Sequence, residues 1–327
     1  MWVLLQKENR MTDLAVPPAV QGKNAHWDLA SIVQALRESR EASHKVRHLG
    51  RVRDLPSRSA LVKILDGLSA ALFPTHYGRP SLTDESIDYY VGNVLNTTLV
   101  NLAEQVRRGL LFAAAPAELE GQDIPARAQQ ITRDFAHQLP VIRGFLFSDL
   151  QAAYAGDPSA TSLSEILVCY PGMTAIIYYR FAHALYVLGV PFLARLISEI
   201  AHSKTGIDIH PGATIDGSFF IDHGTGVVIG QTAVIGRNVR LYQAVTLGAK
   251  RFHADETGAL VKGEARHPII EDDVVIYAGA TVLGRITIGK GSSIGGNVWL
   301  THSVPPGSNV LQANNRQNGD QDDHRDH

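Results

Sequence analysis

A single cysteine in 327 residues excludes an intrachain disulfide, so stability has to come from a packed core. That thiol, Cys169, is expected to serve as a small buried hydrophobe, and its isolation fits a reducing compartment. Charge of one sign is also missing. Thirty Lys plus Arg against 32 Asp plus Glu leave a formal net charge of −2, and no block of like charge occurs before the last few residues. A nucleic-acid or anionic-membrane partner is therefore not expected. Long hydrophobic runs are absent as well. The most apolar segment, AIIYYRFAHALYVLGVPFL, is interrupted by Arg180, His183 and Pro191 and reads as buried helices. The opening MWVLLQKENR holds an apolar run too short for a signal peptide, with no basic residue ahead of it. A cytoplasmic protein is expected.

What is present falls into two regimes. Residues 1–23, with Pro17-Pro18 and Gly22, read as a loose leader, and Met11 is an alternative start. From 24 to 205 apolar residues recur at three- and four-residue spacing, as in LASIVQALRESREASHKV, ALVKILDGLSAALF, SIDYYVGNVLNTTLVNLAEQVRRGLLFA and RAQQITRDFAHQL. Proline and glycine separate these segments, so helix ends are predicted before Pro140, at Gly156 and at Pro171-Gly172. The tail 314–327, NRQNGDQDDHRDH after Asn314, is too polar to bury and is expected to be disordered.

After Gly206 the period becomes six. Ile209, Ile215, Ile221 and Val227 keep that spacing, as do Ile229, Ile235, Leu241 and Leu247, and the run Ile270, Ile276, Val282, Ile288, Ile294 and Leu300. Small or β-branched residues stand two positions earlier, at Ala213, Ala233, Val245, Ala280 and Ser292. Six matches neither an amphipathic helix nor an ordinary sheet. It predicts a parallel β-helix over 206–313, whose triangular coils each take three hexapeptides. The period breaks twice: it slips by two between Val227 and Ile229, beside DHGTG, and it lapses from Ala249 to about His267. Loops ejected from a rigid solenoid are where sites tend to be built.

The stretch IDIHPGATIDGSFFIDHGTGVVIG, from Ile207 to Gly230, threads three Asp, two His and several Gly through aliphatic residues. As a metal site it is poorly made, because His210, His223, His253, His267 and His302 show none of the short spacings of a compact zinc motif. Asp208 and His223 could instead cap coil corners. An acid–base role suits their spacing better. They stand fifteen residues apart, three short of an eighteen-residue coil, which predicts neighbouring courses about one strand spacing of 4.8 Å apart. A carboxylate there can fix the imidazole tautomer and stabilise the imidazolium that forms when the ring takes a proton.

Several ordered motifs carry a resemblance to a known family. GIDIHPGATI, IDHGTGVVIGQTAVIG, LYQAVTLG, RHPIIEDDVVIYAGATVLG and SVPPGS closely resemble the serine O-acetyltransferases, hexapeptide-repeat acyltransferases of bacterial cysteine synthesis, and AHSKTGIDIHPGA and IGGNVWLTHSVPP resemble their longer bacterial branch. The likeness spans about Asp149 to Pro306 and extends more weakly into the helical half. It implies an α+β chain: an N-terminal all-α domain followed by a left-handed β-helix, assembled as a trimer or a dimer of trimers. It also implies acetyl transfer from acetyl-coenzyme A to the L-serine hydroxyl, with no metal. By the same likeness His223 is the general base and Asp208 its orienting partner. The likeness further implies that the serine is held by Asp157, Asp222, Arg266 and His267. Gly248, Ala278 and Gly296 admit the pantetheine arm, and Lys290 is a candidate for a cofactor phosphate.

Residue chemistry is consistent with these roles, since an ammonium needs carboxylates and a carboxylate suits the parallel donors of an arginine. Left to themselves, Asp157 would read as a turn residue before proline, and Arg266 and Lys290 as solvated cations. The chain departs from the family in its long 249–266 loop, in LGA for the usual LGG, and in Tyr277 where glycine is common. It also lacks the terminal isoleucine of the shorter enzymes, so a tight complex with O-acetylserine sulfhydrylase through the C-terminus is not expected. Two other readings stand beside this one. A sugar or antibiotic O-acetyltransferase would keep the histidine but need no amino-acid clamp, and a non-catalytic scaffold would need neither.

Overall fold

The computed structural model describes residues 27–42, 55–113, 121–250 and 263–312. The leader 1–23, the tail 314–327 and His253 lie outside the described residues. The chain divides into two compact units, Met1–Val52 and Arg53–His327. In the first, helix α1 (Leu29–Ala42) begins at Asp28, whose carboxylate accepts the Ser31 amide at 3.2 Å. Leu29, Ile32, Val33 and Leu36 give it one apolar stripe.

The second unit opens with α2 (Arg58–Leu72), α3 (Pro74–Tyr77), α4 (Asp84–Ala113), α5 (Ile124–Gly156), α6 (Leu163–Cys169), α7 (Pro171–Val187) and α8 (Pro191–Thr205). Their starts follow local chemistry. Side chains of Ser57, Asp123 and Ser162 cap α2, α5 and α6, and proline supplies the first turn of α5, α7 and α8. Gly206, at φ 71°, closes α8 in the left-handed conformation.

Two expectations fail here. Helix α5 runs straight through Pro140, because Phe135, Leu139, Ile142, Leu146 and Leu150 keep one buried face across it. Packing of that face outweighs the single lost backbone bond, and Pro140 itself is exposed. Cys169 is exposed rather than buried, because the short α6 turns Ile166 and Leu167 inward and leaves Val168 and Cys169 outside.

Beyond α8 the backbone winds in coils of three short strands. The first holds β1 (Asp208–Ile209), β2 (Thr214–Ile215) and β3 (Phe220–Ile221); the second β4 (Val228–Ile229), β5 (Val234–Ile235) and β6 (Arg240–Leu241). The third holds β7 (Thr246–Gly248), β8 (Ile269–Ile270) and β9 (Val275–Ile276), and the fourth β10 (Thr281–Leu283), β11 (Thr287–Ile288) and β12 (Ser293–Ile294). Strands β13 (Trp299–Leu300) and β14 (Asn309–Val310) finish the stack. All pair in parallel, giving sheet A (β1-β4-β7-β10-β13), sheet B (β2-β5-β8-β11) and sheet C (β3-β6-β9-β12-β14).

The second residue of each strand points inward. Ile209, Ile229, Leu247, Val282 and Leu300 form one buried ladder, and the other two sheets repeat the pattern. This is the predicted six-residue period made physical: two strand residues and a four-residue corner per side.

The ladders also locate the breaks. Regular steps span eighteen residues, as from Val228 to Thr246 or Thr281 to Trp299. The first coil takes twenty, from Asp208 to Val228, and the step containing the 249–268 excursion takes thirty-five, from Thr246 to Thr281. Helices α5 and α7 pack on β3, and α8 packs on β1. At that junction Arg180 of α7 donates from Nε and Nη2 to Asp149 of α5 at 3.0–3.1 Å, and from its Nη atoms to the carbonyls of Ile215 and Asp216 at 2.6 and 2.7 Å. Asp149 in turn accepts the Phe219 amide at 2.9 Å. Both side chains are buried.

Candidate active site

Corners from sheet C to sheet A stack in one column: 222–227, 242–245, 277–280 and 295–298. Amides of Asp222, Tyr242 and Tyr277 donate to the strand carbonyls one coil above, which makes those three residues equivalent. Amides of Gly226, Ala244, Gly279 and Asn297 donate to Gly206, Thr225, Gln243 and Ala278, which aligns Thr225 with Gln243, Ala278 and Gly296. Two residues are left over. They are His223 and Gly224, at φ 58° and 89°.

This left-handed pair bulges from the corner and leaves the His223 side chain 70% exposed. Gly224 is needed there twice, since its φ disfavours a side chain and any Cβ would run into Ile207.

The helices deliver carboxylate chemistry to the same corner. Gly172, in the first turn of α7, sits so close to the Ile221 carbonyl that a Cβ would not fit, and Gly156 at the end of α5 lies equally close to Phe220 and Arg240. Asp157, with Tyr170 bonded to it, is thereby carried close enough to His223 for their charges to interact. Asp222 Oδ1 is 3.8 Å from His223 Nδ1. Asp157 accepts from the Ser159 amide and hydroxyl at 2.8 and 2.7 Å and from the Tyr170 hydroxyl at 2.5 Å. Hydrogen bonds from Ser159 and then Tyr170 hold the Asp157 carboxyl below the usual carboxylate range, with a smaller contribution from nearby His223.

Asp208 is not where an eighteen-residue coil would put it. Because the first coil takes twenty residues, its ladder partner is Val228, and among the described residues no hydrogen bond joins it to His223. The chain beside the His223 bulge is nonetheless the segment leading into Asp208: Gly226 donates to Gly206, and Gly224 packs on Ile207.

Arg266 and His267 occupy a different corner, from sheet A to sheet B, beside 210–213 and 230–233. His267 is only 7% exposed and accepts at Nδ1 from the Thr232 amide at 3.1 Å, with the Thr232 hydroxyl 2.9 Å away. Burial first, then the charges of Arg266 and Arg285, push its pKa down to about 4, so the ring is neutral at ordinary pH. His210 at the same corner is lowered to about 4 by burial and by Arg195, His267 and Arg266. Arg266 donates to the Gln231 side chain at 3.1 Å and the Glu264 carbonyl at 3.3 Å, while its Nε is buried without a partner. A single solenoid thus holds Arg266 and His267 apart from His223. Among the described residues no group of three or more His, Cys, Asp or Glu is placed to hold a metal ion.

Comparison with known proteins bears on this two-cornered arrangement. Residues 267–302 match the family model for bacterial transferase hexapeptide (six repeats). A Synechococcus elongatus protein named "Serine acetyltransferase, plasmid" is 58% identical over 88% of this chain and 91% of its own. The chain belongs to the serine acetyltransferase family.

The serine acetyltransferase of Bacillus subtilis is 50% identical over 51% of this chain and 72% of its own length. The crystal structure of Entamoeba histolytica serine acetyltransferase 1 in complex with L-cysteine is similar at TM-score 0.67 and 39% identity, covering 76% of this chain and 86% of that one.

In this serine acetyltransferase chain the remaining expected site residues separate. Ala278 and Gly296 lie in the His223 column, and a Cβ on Gly296 would stand 3.2 Å from the Ala278 carbonyl. Gly248 ends β7 against Leu283, on sheet A. Lys290 sits on the corner from sheet B to sheet C, its ammonium 3.4 and 3.7 Å from Asp273 and Asp272.

Sequence reasoning missed Tyr242 and Gln243 in the column, beside Tyr277, which it noted only as standing where glycine is common. Tyr242 and Tyr277 stack with centroids 5.2 Å apart, and Gln243 buries an unpartnered Oε1. Their signal was the corner register, which the two-residue bulge conceals.

Proposed function

We propose that this chain transfers the acetyl group of acetyl-coenzyme A to the hydroxyl of L-serine, giving O-acetyl-L-serine for cysteine biosynthesis. The observation that carries this reading is an exposed imidazole on a dedicated bulge, flanked by Asp157 and Asp222, in a serine acetyltransferase chain. His223 accepts the hydroxyl proton as the serine oxygen attacks the thioester carbonyl carbon. The tetrahedral adduct then collapses, the C–S bond breaks, and the imidazolium returns the proton to the departing thiolate. Asp208 and Asp222 stabilise the imidazolium. No acyl-enzyme forms.

Asp157 and Asp222 receive the serine ammonium, and the lowered pKa extends the range in which Asp157 is ionised further toward acid. Arg266 and His267 hold the carboxylate. Since one solenoid keeps these two groups at separate corners, the clamp is completed by a neighbouring subunit of a trimer, with the pantetheine arm passing Gly248, Ala278 and Gly296 between subunits. Lys290, already engaged by two aspartates, is the weakest member of the set.

Thiol release from acetyl-coenzyme A across L-serine, L-homoserine, sugars and no acceptor tests the reading. Release with L-serine no faster than the blank would sink it. Asp157→Ala should raise the serine KM by about 10- to 150-fold, the worth of a charge-assisted hydrogen bond, and leave the acetyl-coenzyme A KM nearly unchanged. Equal effects on both substrates would instead assign Asp157 to holding the turn after α5.

A further inference from the structure

One side chain organises the Arg266–His267 turn, and no family motif quoted above gives it a role. Thr232 Oγ1 accepts from the Arg266 amide at 2.9 Å and from the His267 amide at 3.1 Å, and it stands 2.9 Å from His267 Nδ1. A hydroxyl has two acceptor sites and one hydrogen, so this environment uses all of its capacity.

Donor and acceptor roles follow without choice. The amides of Arg266 and His267 must donate, which leaves the Thr232 hydrogen to point at Nδ1. The Thr232 amide also donates to Nδ1, at 3.1 Å. Nδ1 is therefore unprotonated and the ring is fixed with its hydrogen on Nε2. The ring lies over Gly230, where any Cβ would collide with it, and Arg285 closes the other side by donating to the carbonyls of Thr232 and His267 at 2.6 and 3.0 Å. The excursion before Arg266 is long, and this lock sits where the chain rejoins the solenoid.

We infer that Thr232 is a positioning residue for acetyl transfer: it seats the backbone of Arg266 and His267 and sets the His267 tautomer, so that both side chains meet the amino-acid substrate pre-aligned. The inference rests on the reading of Arg266 and His267 as the carboxylate clamp. Thr232 touches no substrate. Its effect must therefore appear in the binding of serine and not in that of acetyl-coenzyme A.

Three variants of the full-length protein test this. Thr232→Val keeps the shape and removes every side-chain hydrogen bond. It should raise the serine KM about 10- to 100-fold, the scale of an ångström-sized misplacement of a positioning group, with the acetyl-coenzyme A KM and kcat within a few-fold of wild type. Thr232→Ser, which retains the hydroxyl, should restore the serine KM to within about threefold of wild type. Arg285→Ala removes an exposed clamp without touching the core and should raise the serine KM by a smaller factor, keeping the test decisive if Thr232→Val fails to fold.

A Thr232→Val enzyme with wild-type serine KM, or Val and Ser variants equally impaired, overturns the inference. Arg266→Ala separates the two levels of the argument. If it leaves the serine KM unchanged, the clamp reading fails and takes the role of Thr232 with it. If it impairs serine while Thr232→Val and Arg285→Ala do not, only the positioning role falls.

Discussion

His223→Ala is expected to lower kcat by about 10²–10⁴-fold while acetyl-coenzyme A binding changes little, because a positioned general base contributes that much to a proton transfer and touches the cofactor only at the reacting end. The ring stands on a two-residue bulge and is mostly exposed, so its removal should leave folding and assembly intact. Asp208→Ala should cost less, since stabilising a charged imidazole assists a base without replacing it. The double variant should fall well short of the combined losses, as groups acting on one proton do. Steady-state thiol release with both substrates varied separately decides the matter. A folded His223→Ala enzyme within a few-fold of wild type would return His223 and Asp208 to the capping of coil corners.

Arg180→Ala should be the counterpart: a large loss of stability from a residue remote from the chemistry. It leaves Asp149 buried with its charge uncompensated, a change that typically costs about 3–5 kcal/mol. At roughly 2 °C per kcal/mol for a unit of this size, the Tm should fall by about 6–10 °C. Replacing both partners, as Asp149→Leu with Arg180→Met, should recover most of that loss, because no orphan charge remains and the Met can lie against the Phe145 ring that the guanidinium now covers. Thermal melts of the three proteins check both statements. If the double variant melts no higher than Arg180→Ala, the bonds to the carbonyls of Ile215 and Asp216, rather than charge pairing, carry the junction.

The hexapeptide period was legible because the inward positions have no alternative occupants: each of Ile209, Ile215 and Ile221, and each of their counterparts upward, faces a closed interior. The excursion after Gly248 was legible for the same reason, as a gap in that period. What could not be read was anything set by contacts between distant segments. Pro140 announces a helix end locally, yet the buried face of α5 continues across it. The slip beside DHGTG was visible, but assigning the extra residues to His223 and Gly224 needed the hydrogen bonds between coils, and the eighteen-residue arithmetic consequently set Asp208 two residues out of register with the neighbouring course. Of the candidate site, the aspartate and histidine types were recognisable from motifs. That Asp157 shares a corner with His223 while Arg266 does not is a property of which corner each loop leaves, which spacing along the chain does not encode.

The bulge at His223 and Gly224 has a consequence for how such a protein can change over generations. The ladders resume in register on either side of it, Val228 over Asp208 and Thr246 over Val228, so the core below and above carries no record of the two added residues. The proposed base stands on two extra residues at a corner and not on a replacement within the ladders. Substitution in the aliphatic ladder and substitution at this corner are therefore separable, and one solenoid can exchange what the corner carries without relearning how to fold.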